Sequence, residues 1–410
     1  MPDPLQLVEQ TVAAVLDPDQ VTARLTPGAA ATLADGLPGT ALLLTVVADG
    51  DTALIDAADR HWNAAARLVT GTEPDGIYAG PGAVAASLIH GSAHLPPDRR
   101  WHDALGRATA WLSVRAQGLA EHQASRLLAG RPRTLWGIYD TIKGLTGIGR
   151  TLLAAAQLGI PEAEPGLTAA LITLTSLINT ADDAGRPGWW VRAQDHKLSV
   201  PGTLPPSGTA GTAGTGAAHG IAGPLSLLAL AHLAGKSVPG QEDAVATAAQ
   251  WLLTWAVPGP SWPPYVSGDD LAHPPDTERL AAVPGRRDAW CYGTPGIASA
   301  LHHSGRALAD PALTALARRS LDALAHRPSA IWDITGPGLC HGSAGVLAVA
   351  TRLDHRPLAD TAARHTTDTF HAVAPATGFL TGRVGAALAL ATHCRTTDPD
   401  ASWDGLLMLA

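Results

Sequence analysis

The chain has 410 residues, 46% hydrophobic and 16% charged, a balance that suits a large globular unit with a substantial buried core. Its formal net charge of -8, with lysine only at Lys143, Lys197 and Lys236, provides no basic stripe for a phosphate backbone and argues against nucleic acid as a partner. No stretch reads as a membrane span or a signal peptide, and three cysteines without disulfide-like spacing point to a reducing, cytoplasmic setting.

Along the chain one pattern recurs. A Gly-x-x-Gly followed by an Ala/Leu-rich run stands at Gly36 to Gly39, Gly144 to Gly147, Gly220 to Gly223, Gly293 to Gly296, Gly342 to Gly345 and Gly382 to Gly385. An irregular copy, Gly80, Pro81, Gly82, reads as a motif that has lost a residue. The origins lie 40 to 76 residues apart, and the shorter intervals fit a helical hairpin. About seven two-helix units of this kind bury their apolar faces only against neighbours, which predicts an all-α arc or closed ring with every glycine turn on one face. Most of these glycines read as positions of close packing.

Two intervals are too long for a hairpin alone. Residues 180–218 combine Gly185, Pro187 and Gly188 with Trp189, Trp190 and a glycine- and proline-rich stretch over 201–216, predicting a small inserted lobe with some strand character. The tryptophan pair there reads either as a mini-core or as a contact for a peptide. Residues 257–289 carry seven prolines, Pro284 among them, and cannot form a continuous helix; they predict a loop over the ring's active face.

Near the C-terminal third, Trp290, Cys291, Tyr292, Gly293 and Cys340, His341, Gly342 place two of the three cysteines beside a histidine and two glycine turns. Each cysteine alone is equally a small buried hydrophobe. Together, two thiolates and an imidazole form an incomplete tetrahedral zinc shell with a fourth position open, the arrangement of a catalytic site. A ring would bring these sequence-distant ligands together. His90 with His94 and His302 with His303 lack such a pattern and read as surface or packing residues; Cys394 reads as a buried apolar residue.

These residues, with Ala218, His219, Gly220, with Tyr139 and Asp140 ahead of Gly144, and with Ser402, Trp403, Asp404, Gly405, Leu406, Leu407, resemble the lanthionine synthetase C-like cyclases over nearly the whole chain, 1–410. The resemblance implies a toroidal double ring of helices, an α/α barrel, carrying one Zn2+ per chain on Cys291, Cys340 and His341. It implies that Asp140, His219, Arg287 and Tyr292 surround the metal. It further implies a stand-alone cyclase that adds cysteine thiols of a dehydrated precursor peptide, leader plus core, to dehydroalanine or dehydrobutyrine. A separate dehydratase and an exporter would be its partners.

For that reaction Arg287 would stabilise the enolate that develops on the dehydro residue. His219 would protonate it at Cα. His219 equally reads as a residue that caps its glycine turn. Asp140 could orient His219, take the thiol proton or support a zinc ligand; it also reads as a turn residue before Gly144. Tyr292 would donate a hydrogen bond near the metal or simply pack. The alternative within the fold is a non-cyclising protein that binds zinc and glutathione or a protein partner, which Asp140 and His219 argue against. A ring-shaped glycoside hydrolase would need paired carboxylates, and neither Asp140 nor Asp288 has an obvious mate.

Overall fold

The computed structural model describes residues 3–26, 28–69, 76–130, 134–195, 210–283, 287–332, 336–372, 377–394 and 403–410. Among them, seven helices form an inner ring: Leu37–Val47, Gly80–Ser92, Leu145–Gln157, Ala222–Leu233, Thr294–Ala307, Ser343–Arg352 and Arg383–Cys394. Each packs on the next and the last packs back on the first, so the ring closes. Their composition explains their place. All eleven residues of Leu37–Val47 are buried, as a helix apolar on every side requires.

The outer helices are amphipathic. Thr52–Leu68 buries Ile55, Ala58, Trp62 and Ala65 on one stripe and starts at Asp51, whose carboxylate accepts from the Ala53 N–H at 2.8 Å. This helix, His102–Leu128, Ala163–Ile178, Gln241–Thr254, Pro311–Ala325 and Arg356–Thr369 each back the inner helix before them, and Pro4–Ala14 backs Arg383–Cys394. The fold is therefore an all-α double toroid. No helix among the described residues is long and apolar enough to cross a membrane.

Every inner helix starts at a glycine turn, and the second glycine of each turn is dictated by close approach. A Cβ on Gly296 would sit 2.2 Å from the Trp290 carbonyl oxygen, and one on Gly345 2.1 Å from that of Leu339. The irregular repeat obeys the same rule: Gly82 lies against the Gly76 carbonyl, where a Cβ would come within 1.8 Å. Its register is thus Ala79 to Gly82, with alanine in place of the first glycine and no residue lost.

The turns are also stitched to one another. Ile77 N–H donates to the Ile142 carbonyl, Thr141 to Ala218, Ala218 to Cys291, Cys291 to Cys340, Cys340 to Leu380, Leu380 to Ala34 and Leu33 to Tyr78, at 2.9–3.2 Å. These seven bonds run head to tail around the whole ring. On its axis, Trp403–Leu407 is buried: Leu406 accepts from Tyr78 Oη at 2.8 Å, Leu407 from Trp290 Nε1 at 2.7 Å, and Asp404 takes both arms of Arg352 at 2.8 and 2.9 Å.

Three short strands, β1 (Val191–Arg192), β2 (Gly211–Gly214) and β3 (Tyr265–Ser267), pair antiparallel in that order, so the segment after Ile178 and the proline-rich segment share one small sheet. Trp189 and Trp190 are 1% exposed, with Trp189 edge-on to Trp251 and Arg186 over the ring of Trp190. They join the main hydrophobic core of the ring rather than a separate mini-core, and so buried they present no peptide-binding surface. The remainder of the glycine- and proline-rich stretch, 196–209, together with Pro284 and Ser402, lies outside the described residues.

Candidate metal centre and active site

Because the inner helices all begin at glycine turns, the turns lie on one face of the ring. The residue two places before the first glycine is, in order, Ala34, Ile77, Ile142, Ala218, Cys291, Cys340 and Leu380; the next is Asp35, Tyr78, Lys143, His219, Tyr292, His341 and Thr381. The candidate ligands and two of the candidate catalytic groups are therefore occupants of two equivalent positions in adjacent repeats. The hydrogen bond from Cys291 N–H to the Cys340 carbonyl, 3.1 Å, fixes their spacing.

The sulfurs of Cys291 and Cys340 and a ring nitrogen of His341 lie within 4.8 Å of one another. Cys291 is buried; the other two are half-buried. Burial opposes the Cys291 thiolate, yet hydrogen bonds from Cys340 and His341, with the charges of His341 and Arg287, hold it well below the usual thiol range. Cys340 is pushed up by its hydrogen bond to Cys291 and by burial. The two sulfurs share a hydrogen bond. Arg287 is buried, and its backbone folds so tightly over the turn that a Cβ on Gly293 would sit 1.9 Å from its carbonyl; Gly293 accordingly has φ +114°.

Beside this triad stands a carboxylate–imidazole pair. Asp140 is fully buried, and its Oδ2 lies 2.7 Å from His219 Nδ1. Its Oδ1 accepts from the N–H groups of Lys143 and Gly144 at 2.7 and 2.8 Å. Asp140 therefore closes the turn and orients the histidine at once, one oxygen for each task. Tyr292 lies with its ring 6.1 Å from that of His219, and burial, reinforced by the negative Cys291, keeps its phenol protonated.

The family model for lanthionine synthetase C-like proteins matches residues 29–408. This chain belongs to that family. Nisin biosynthesis protein NisC of Lactococcus lactis subsp. lactis is 24% identical over 327 residues, covering 78% of this LanC-like chain and 73% of that protein. The solved structure of nisin cyclase superposes with a TM-score of 0.81 at 21% identity, over 98% of this chain and 97% of that one, and so shares the toroidal fold.

In this LanC-like ring Cys291, Cys340 and His341 converge, His219 joins Asp140, and Arg287 is close enough for its charge to act on both thiols. Trp136 escaped the sequence reading. It stands edge-on to His219 at 5.4 Å between ring centroids, and Lys143 Nζ lies over its ring at 6.0 Å from the centroid. Its position four residues before Asp140 was the available signal. Asp288 is held by Thr294 and Arg327 at 2.7 and 2.8 Å, a structural ion pair rather than half of a carboxylate couple. Cys394 is exposed, contrary to expectation, because it is the last residue of its helix and lies past the packed part of the ring.

Proposed function

We propose that this chain is a zinc-dependent lanthipeptide cyclase that adds precursor-peptide thiols to dehydroalanine or dehydrobutyrine, forming lanthionine or methyllanthionine rings. The observation that carries this reading is a soft Cys, Cys, His donor set placed next to an oriented histidine on the open face of a LanC-like toroid. The donor set fits the metal: two sulfurs, one favoured as thiolate, and one imidazole suit zinc and leave a fourth position for substrate. Bound there, zinc would supply chemistry that an unperturbed thiol lacks, since at a pKa of about 8.5 only a few per cent is thiolate at neutral pH.

The chain's own groups account for the remaining steps. When the sulfur forms its bond to the β-carbon, the C=C electron pair moves toward the dehydro residue's carbonyl oxygen, and Arg287 supplies positive charge to it. A carboxylate can only accept, so Asp140 keeps a proton on His219 Nδ1, and Nε2 is the nitrogen that exchanges protons with the substrate. Nε2–H delivers its proton to Cα, and the ion pair with Asp140 stabilises the imidazolium that precedes delivery. The proton given up by the thiol equals the one gained at Cα, so ring closure is an isomerisation. Tyr292, protonated, is a hydrogen-bond donor toward the same space. The dehydrated peptide would come from a separate dehydratase.

Elemental analysis of the wild type and Cys340→Ala, paired with alkylation of residual thiols on a dehydrated peptide, tests this reading. One zinc per chain, lost in the variant together with thiol consumption, is the expected result. A wild type without zinc, or thiol consumption unaffected by Cys340→Ala, overturns it.

A further inference from the structure

On the face opposite the glycine turns, the C-terminal halves of the inner helices enclose a cavity of about 630 Å³, within the range of small-molecule sites. Its lining brings together Arg150, Arg306 and Arg352 with His90, His302 and His303, drawn from four inner helices, and Leu409 and Ala410 close its floor. Three guanidinium groups meet in one space. Against them stands Asp404, which holds Arg352.

Helix-end arginines ordinarily reach out to solvent, and Arg306 does so at the mouth. Arg150 does not. It lies in the middle of Leu145–Gln157 and is 4% exposed; its Nε donates to the Ala410 carbonyl at 2.5 Å, while its buried Nη1 has no partner among the described residues. His303, another residue of the lining, is also 4% exposed, and its buried Nδ1 has no partner among the described residues. Native structures rarely leave such donors unanswered. Burial, with the charges of His302 and the three arginines, holds His303 down to about 3, so the imidazole is neutral and the positive potential of the cavity acts even on its own lining.

We infer that this cavity binds a small oxyanion-bearing molecule, its phosphate or carboxylate group held between Arg150 and Arg306. Such a ligand would offset the repulsion among the three arginines that line the cavity. It would also tie the Trp403 to Ala410 segment to the ring from behind, at a site separate from the metal centre.

Calorimetric titration and thermal-shift measurement of the full chain with inorganic phosphate, and in parallel with succinate, at ionic strength matched by sodium chloride, test this inference. Stoichiometric binding of at least one of the two is expected, and the arm that binds identifies the anion class. Arg306→Ala, an exposed change that should not disturb folding, is expected to weaken it about tenfold or more. His341→Ala, on the opposite face, should leave it unchanged. The inference is overturned if neither anion binds at millimolar concentration, or if Arg306→Ala binds as the wild type does. It is equally overturned if His341→Ala abolishes binding.

Discussion

Replacing Asp140 by asparagine separates the two tasks of this residue atom by atom. Oδ1 receives two backbone N–H groups, from Lys143 and Gly144, so the oxygen of the new amide must stay there. The amide nitrogen then faces His219 Nδ1 at the 2.7 Å position now held by Oδ2. An amide nitrogen only donates, so Nδ1 must become the acceptor and the proton moves to Nε2. The neutral ring still carries a proton on the substrate side, but the imidazolium form would bring two donors together. It loses a charge-assisted hydrogen bond worth roughly 1.5–3 kcal/mol. With His219 as general acid, thiol consumption on a dehydrated peptide should slow by roughly 10- to 10²-fold, the rate equivalent of that loss. Zinc content and thermal midpoint should stay near the wild type, because the turn keeps both backbone bonds. A variant within about threefold of the wild-type rate would refute the assignment of His219. Lost zinc would move Asp140 to the support of the ligands.

Arg287→Met should lower the turnover rate by roughly 10²- to 10³-fold with little change in KM, and should raise the Cys291 thiol range, read by alkylation rate against pH in metal-stripped protein. Asp404→Ala should destabilise the chain by about 1.5–3 kcal/mol in denaturant unfolding, because it removes the charge-assisted hydrogen bonds to Arg352, whose side chain is 21% exposed. Burial holds His61 at about 4 and His303 at about 3, against 6.5 in the unfolded chain. Their contribution is therefore complete above about pH 6.5 and is lost as pH falls, by roughly 2 kcal/mol each at pH 5. Unfolding midpoints compared at about pH 7 and pH 5 check this, and a flat profile would contradict it.

The glycine motifs were legible because a side chain at the second position would collide with a carbonyl, so the residue type records the geometry. The Cys, Cys, His set stood out because the chain has only three cysteines and two adjoin glycine turns. Ala79 hid the second repeat's register, since an alanine at a first-glycine position leaves no mark in the sequence. Trp136 was opaque for another reason: an aromatic beside a candidate catalytic group and one in a core look alike in sequence, and only the 5.4 Å between its ring centroid and that of His219 separates them. Cys394 was misjudged because an apolar run does not reveal where its helix leaves the packed ring. The rear cavity was invisible because its arginines and histidines belong to helices that only the closed ring brings together.

The backbone bonds between turns form a hoop without ends, and Cys291 and Cys340 are two of its links. An open stack of repeats can fray from either terminus while its middle persists. A hoop has no terminus from which to fray. Separating the two cysteines means breaking it, with strain passed to all seven turns, so the distance between the candidate ligands is protected by residues as remote as Ala34 and Ile142. Loosening should therefore be collective, and hydrogen exchange at the turn amides should report one shared opening for the whole face.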